Sequence, residues 1–139
     1  MFAALNREDP GQEPVPPENM RRTLRELRAR PERGRAVVLE SEGRAAGYAL
    51  LIAFWSNELG GDCCSLDELY VIPALRSQGH ASTLIRALAV GSSLWPHAAV
   101  AILLEVSPDN HRALALYRRQ GFTGSNLCLR LVRPQSPRD

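Results

Sequence analysis

The sequence predicts an α/β fold, an α+β mixed sheet with helices on both faces, and three observations lead there. The length of 139 residues suits one domain at roughly 100–200 residues per domain. Hydrophobic residues make up 45% and charged residues 23%, which is ordinary globular composition and can supply a core without disulfides or a structural metal. The order of segments is helix, two strands joined by a tight turn, a third strand, then helix, strand, helix, strand. Such an order mixes antiparallel pairing at the front with crossover connections behind.

Each element has its own signal. Residues 1–17 read as an irregular N-terminal segment, since Asp9–Pro17 carries four prolines and a glycine. In MRRTLRELRAR, Met20, Leu24 and Leu27 fall at helical spacing, and Pro31 and Gly34 close the helix. Arg35–Glu40 is an aliphatic strand, SEGR a turn, and Ala45–Trp55 an apolar run expected to be buried on both faces, so the two form an antiparallel hairpin. After the loop SNELGGD, Cys63–Ile72 reads as a third strand that stops at Pro73. Strict alternation would put Leu66, Glu68, Tyr70 and Ile72 on one face and Asp67, Leu69 and Val71 on the other. Ser77–Val90 is a helix with Leu84, Ile85 and Leu88 as its apolar stripe. Ala98–Val106 is a buried strand, His111–Gln120 a helix closed by Gly121, Asn126–Val132 a last strand, and residues 133–139 a frayed tail.

Several function classes are disfavoured. All 17 basic residues are arginine and the net charge is only +2, with the arginines dispersed, so nucleic acid is not an expected partner. Cys63, Cys64 and Cys128 lack metal-ligand spacing, and the adjacent pair is too close for a disulfide; reduced thiols, a cytoplasmic location and no metal are expected. MFAALNREDP has no apolar signal-peptide core, and no apolar run reaches about 18 residues, so no membrane span is expected.

The sharpest feature is VIPALRSQGHAS, residues Val71–Ser82, between a strand and a helix. The first amides of a helix have no internal partner, and the helix dipole adds about half a positive charge there. Gly79 removes a Cβ where a ligand would approach, Ala81 keeps the helix close to the strand, and Arg76 offers a cation. The combination suits a pyrophosphate. Pro73 is expected to end strand pairing and splay the third strand from its successor.

Arg76-Ser77-Gln78-Gly79-His80-Ala81 resembles the acyl-CoA signature R/Q-x-x-G-x-G/A of the GNAT superfamily of N-acetyltransferases, and LDELYVIP resembles the strand that precedes it. Downstream, LLEVSPDNHRALALYRRQGF places Asn110, Ala113, Tyr117, Gly121 and Phe122 where that family's strand–Asn–helix–Tyr–Gly-Phe segment has them. The resemblance runs from about Glu18 to Val132. It implies acetyl-CoA as the acyl donor and a primary amine as acceptor, joined by direct attack through a tetrahedral intermediate. The amides of Gln78, Gly79, His80, Ala81 and Ser82, with Arg76 and Ser77, would hold the pyrophosphate, while the His80 side chain is expected to face solvent. By the same resemblance, the main chain of Leu69, Tyr70, Val71 and Ile72 would pair with pantetheine, and Asn110 and Tyr117 would line the same arm. An N–H at Val71 or Tyr70 would face the oxyanion.

A phenol with a reference pKa of about 10 suits protonation of a departing thiolate, which makes Tyr117 the candidate acid. Glu68 is the candidate base and Glu105 its alternate. Trp55, Asn57, Glu58, Asp62, Asp67, Glu68 and Glu105 would border an acidic acceptor mouth that favours a cationic amine, and LDELYV also resembles the diamine and polyamine branch. Two alternatives stay open: a protein or peptide N-acetyltransferase, and a non-catalytic acyl-CoA-binding module. Serine in place of the signature's usual second-position glycine is expected to cost little at a helix start. Members of the family open with an edge strand for which this sequence leaves little room, so the RAVVLE edge is expected to be bare or covered by a second copy in a homodimer.

Overall fold

A hairpin starts the sheet. β1 (Gly34–Ser41) and β2 (Arg44–Ser56) pair antiparallel across a turn in which Glu42 and Gly43 both take positive φ, the mirror-image turn that matches strand twist. β2 is buried continuously from Ala46 to Leu51, as its unbroken apolar run requires. It pairs antiparallel with β3 (Gly61–Val71), and Gly47 is where the two backbones come closest: a Cβ there would lie 2.2 Å from the Tyr70 carbonyl oxygen. The computed structural model describes residues 1–9, 15–95 and 98–124. Cys128, His97, the expected last strand at 126–132 and the tail at 133–139 lie outside the described residues.

The fourth strand, β4 (Ala101–Leu103), lies parallel to β3, and the order among the described residues is β1-β2-β3-β4. It is far shorter than the strand expected at 98–106. β4 pairs only with Cys63–Ser65, so from Leu66 onward β3 has no β4 partner. The strands therefore part seven residues before Pro73. A β-bulge coincides with the parting: Leu50 opposes Glu68 and Leu51 opposes Leu66, which leaves Asp67 as the extra residue.

That extra residue corrects the expected facing of side chains. Leu66 and Leu69 both pack in the cluster formed by Ala49, Leu51, Cys64, Leu84, Ile85, Leu88 and Trp95, three positions apart rather than two. Glu68 and Tyr70 are on the opposite face, where both meet Tyr48. A single inserted residue reverses the parity of everything after it.

Two helices cover the first face. α3 (His80–Ala89) contributes Leu84, Ile85 and Leu88, and α4 (His111–Arg119) brings Tyr117, with Phe122 just beyond, against the same cluster. The other face carries α2 (Pro17–Ala29), which packs on β1 through a side that includes the buried Leu27. Ion pairs of Glu18 with Arg21 and Arg25, and of Glu26 with Arg30 and Arg33, decorate its exposed surface. Pairs so exposed contribute about 0–1 kcal/mol each. The segment read as irregular begins instead with a helix, α1 (Phe2–Glu8). α1 buries no residue, which is why apolar periodicity gave no sign of it. Among the described residues β1 is the outer strand on its side of the sheet.

Candidate functional site

Where β3 leaves β4, one edge of β3 is open, with no strand partner among the described residues. Ile72 N–H donates to Ala46 O at 2.9 Å and the Tyr70 carbonyl faces Gly47, so both residues direct their peptide groups at β2. Alternation then turns the peptide groups of Leu69 and Val71 to the open edge. Tyr70 N–H is thereby removed as an oxyanion donor, and Val71 and Leu69 are the donors available.

A short 3₁₀ turn, Pro73–Leu75, carries the chain from β3 to α3. Ser77 (φ 63) and Gly79 (φ 87) both take left-handed backbone, which delays the helix to His80, three residues later than expected. A Cβ on Gly79 would meet nothing within 4 Å, so glycine is there for its backbone conformation and for the open space in front. Thr83 N–H to Gly79 O, 2.9 Å, is the first helical bond, and no side chain caps the end. The amides of His80, Ala81 and Ser82 therefore precede the ladder, as a pyrophosphate cradle would need. Gln78 donates to Ala74 O at 3.2 Å, and Ser82 Oγ accepts from Gln120 at 3.3 Å, which ties α3 to α4. His80 does not face solvent as expected: its Nε2 is buried, with no hydrogen-bond partner among the described residues.

The Arg76 side chain is engaged by the protein itself. Its Nε donates to Val71 O at 2.8 Å, its Nη2 pairs with Glu8 at 2.5 Å, and its guanidinium lies 5.4 Å from the Tyr70 ring centre. Arg112, in the first turn of α4, brings a second basic side chain to the same loop, its Nη2 donating to Ser77 Oγ at 3.3 Å.

Carboxylates gather where the strands part. Tyr48 donates to Glu68 at 2.8 Å. Glu68 is raised above the ordinary carboxylate range, chiefly by desolvation; the Tyr48 bond opposes this and the charge of Asp67 adds to it. Asp67 keeps much surface in solvent, yet its carboxyl is also raised, first by the protein atoms around it and then by Glu105 beyond β4. Tyr117 meets Phe122 edge-on at 5.7 Å, and its phenol is raised by burial and then by the charge of Asp9. Asn110 caps α4 by accepting from Ala113 N at 3.1 Å, and its Nδ2 donates to Asp9 at 2.9 Å.

The acetyltransferase (GNAT) family model matches residues 1–122, most of the chain. The chain belongs to the GNAT acetyltransferase family. It is therefore an acetyl-CoA-dependent acyltransferase. No curated protein matches it. Among solved structures it is similar to a possible acetyltransferase from Clostridium difficile 630, with TM-score 0.74 and 16% identity over 96% of this chain and 86% of that one. It also resembles the integron cassette protein HFX_CASS3 from the mobile metagenome of Cole Harbour Salt Marsh, with TM-score 0.62 and 24% identity over 89% and 74%. A third likeness is to the aminoglycoside N-acetyltransferase AAC(6')-Iy in complex with CoA, with TM-score 0.61 and 19% identity over 84% and 92%. At these identities the likeness is one of fold.

In this GNAT chain the expected acceptor residues divide in two. Near the parting of β3 and β4, Glu68 feels the charge of Asp67, and Asp67 that of Glu105. Trp55 and Asp62 pair at the other end of β3, with Asn57 and Glu58 in the turn beyond. Six strand residues, about 20 Å, separate Asp62 from Glu68. Their place at the mouth is what the family resemblance implies, and the antiparallel register sets Asp62 at the far end of β3 from Glu68. Sequence reasoning missed Tyr48, Arg112, Glu8 and Asp9. Arg112 had a readable signal, since it lies two residues after Asn110; the others meet the site only through tertiary packing. Among the described residues no group of three His, Cys, Asp or Glu is placed to hold a metal ion, and no helix is long and apolar enough to cross a membrane.

Proposed function

We propose that the chain is an N-acetyltransferase that moves the acetyl group of acetyl-CoA to a primary amine of a small, cationic molecule. The observation that carries this reading is the open edge of β3 leading straight to the uncapped start of α3. The diphosphate of CoA would rest on the amides of His80, Ala81 and Ser82, with Arg112 alongside, and pantetheine would run along Leu69–Val71 toward the gap. There Val71 or Leu69 N–H would stabilise the oxyanion, aimed at where charge develops. Glu68, directly or through a water, would take a proton from the incoming ammonium; its desolvated carboxyl makes it a stronger base than an ordinary glutamate. The freed amine attacks the thioester carbonyl, the tetrahedral intermediate collapses, and the C–S bond breaks. Tyr117, a half-buried phenol whose pKa is raised and which is therefore protonated at working pH, would hand its proton to the leaving thiolate.

Asp67, Glu68 and Glu105 supply a negative field that suits an acceptor with more than one positive charge. Two structural neighbours being aminoglycoside acetyltransferases supports trying that class beside polyamines. A reducing, cytoplasmic setting agrees with the buried free thiols Cys63 and Cys64. Among the described residues no strand covers the outer edge of β1, which supports a second copy as its cover, and a single-subunit mass in solution would count against that homodimer.

The test is release of free thiol from acetyl-CoA against a panel of polyamines, aminoglycosides, amino acids and peptide N-termini. Tyr117→Phe is expected to lower kcat by about a hundredfold or more, with CoA affinity by calorimetry unchanged. Full turnover in both Tyr117→Phe and Glu68→Gln would overturn the assignment of roles. CoA binding without turnover on any amine would leave a binding module.

A further inference from the structure

The end of α1 lies across the slot that the reading above gives to acyl-CoA. Glu8 reaches the β3 side, where its carboxylate accepts from Tyr70 Oη at 3.3 Å and pairs with Arg76. Asp9, the next residue, reaches the α4 side, where it accepts from Asn110 Nδ2 and its charge acts on Tyr117. Tyr70 is on the α2 face of the sheet and Tyr117 packs with the core of the opposite face, so two consecutive residues span the parted strands. We propose that Glu8 and Asp9 form an intramolecular strap across the cofactor slot, which must let go before CoA can seat.

The proposal rests on the acyl-CoA reading of that slot. Its physical basis is competition for the same groups. Asn110 Nδ2 cannot turn fully to a pantetheine amide while it holds Asp9, and Arg76 is neutralised by Glu8. CoA carries several negative charges, and two carboxylates in its slot repel it at separations shorter than the Debye length of about 8–10 Å. The strap is also built to release. α1 has seven residues, none of them buried, and helices so short do not persist without support. Its other tie is a reciprocal pair between Asn6 and the main chain of Val15, 2.9 Å in each direction. A fraction of molecules with the strap open sets the apparent affinity, so weakening the strap tightens binding.

The test uses the full chain and CoA itself. By calorimetry, the double variant Glu8→Gln/Asp9→Asn, which keeps shape and removes charge, is expected to bind CoA about tenfold more tightly than the unmodified protein. Hydrogen exchange on the unmodified protein gives a second readout that needs no variant: saturating CoA is expected to protect the amides at the start of α3 and to speed exchange over residues 2–9. Equal or weaker binding by a folded double variant overturns the strap, and so does protection at α3 with exchange over 2–9 unchanged or slowed. If CoA neither binds nor protects α3 in either protein, the cofactor reading falls and the strap falls with it.

Discussion

Glu68 shows how much a single side chain depends on what surrounds it. Its raised pKa means that the folded protein holds the proton more tightly than the unfolded chain does. At neutral pH the ionised carboxylate therefore costs stability, and that cost disappears as pH falls through the raised folded pKa toward the unfolded value. Glu68→Gln is expected to raise Tm at pH 7, to leave it unchanged near pH 3, and to lower kcat/KM throughout. Thermal melts at the two pH values check the first part. In the unmodified enzyme the acid limb of kcat/KM should lie above the usual glutamate value of about 4.3. Tyr48→Phe removes the hydrogen bond that holds Glu68 down, so that limb should move to higher pH. The glutamate itself was legible in LDELYV, and Tyr48 was not. Nothing in the spacing of residues 48 and 68 announces a pair that only the β2–β3 register creates.

At the scale of elements, the strand–turn–helix at residues 61–89 was readable because local rules write it: an apolar strand, a proline, a glycine and then a helical stripe. What escaped was the geometry inside it. Serine at position 77 was expected to sit comfortably at a helix start, but the helix begins three residues later and Ser77 takes φ 63. Left-handed backbone costs a non-glycine residue about 1–2 kcal/mol. Ser77→Gly should therefore stabilise the protein by about 0.5–1 kcal/mol, after allowance for the freer unfolded chain, as chemical denaturation can measure. The bulge at Asp67 was invisible for a related reason. Alternation in LDELYV looks regular, and only the pairing partner reveals which residue is unopposed. α1 left no periodic trace because it has no buried face, so its existence is a matter of tertiary contact through Glu8 and Asp9.

For the molecule as a whole, ligand and fold are linked. CoA at a hundred times its dissociation constant should add about 2.7 kcal/mol of stability, a rise of roughly 10 °C in Tm, which thermal denaturation can follow. The order of elements from α2 to α4 was foreseeable from periodicity and punctuation, whereas the ties of Glu8 and Asp9 to Tyr70, Arg76 and Asn110 join positions 62, 68 and 101 residues apart and follow from no local rule. The paired thiols of β3 have a use at the same scale. Cys63 and Cys64 are both fully buried, yet as neighbours on a strand they point into different layers, and only Cys64 belongs to the cluster under α3. Burial pushes the Cys64 thiol up to about 12, so it stays silent toward alkylating reagents until its layer opens. Pulsed alkylation read by peptide mass spectrometry would thus time the opening around each thiol separately, a two-channel clock for unfolding that requires no engineered label.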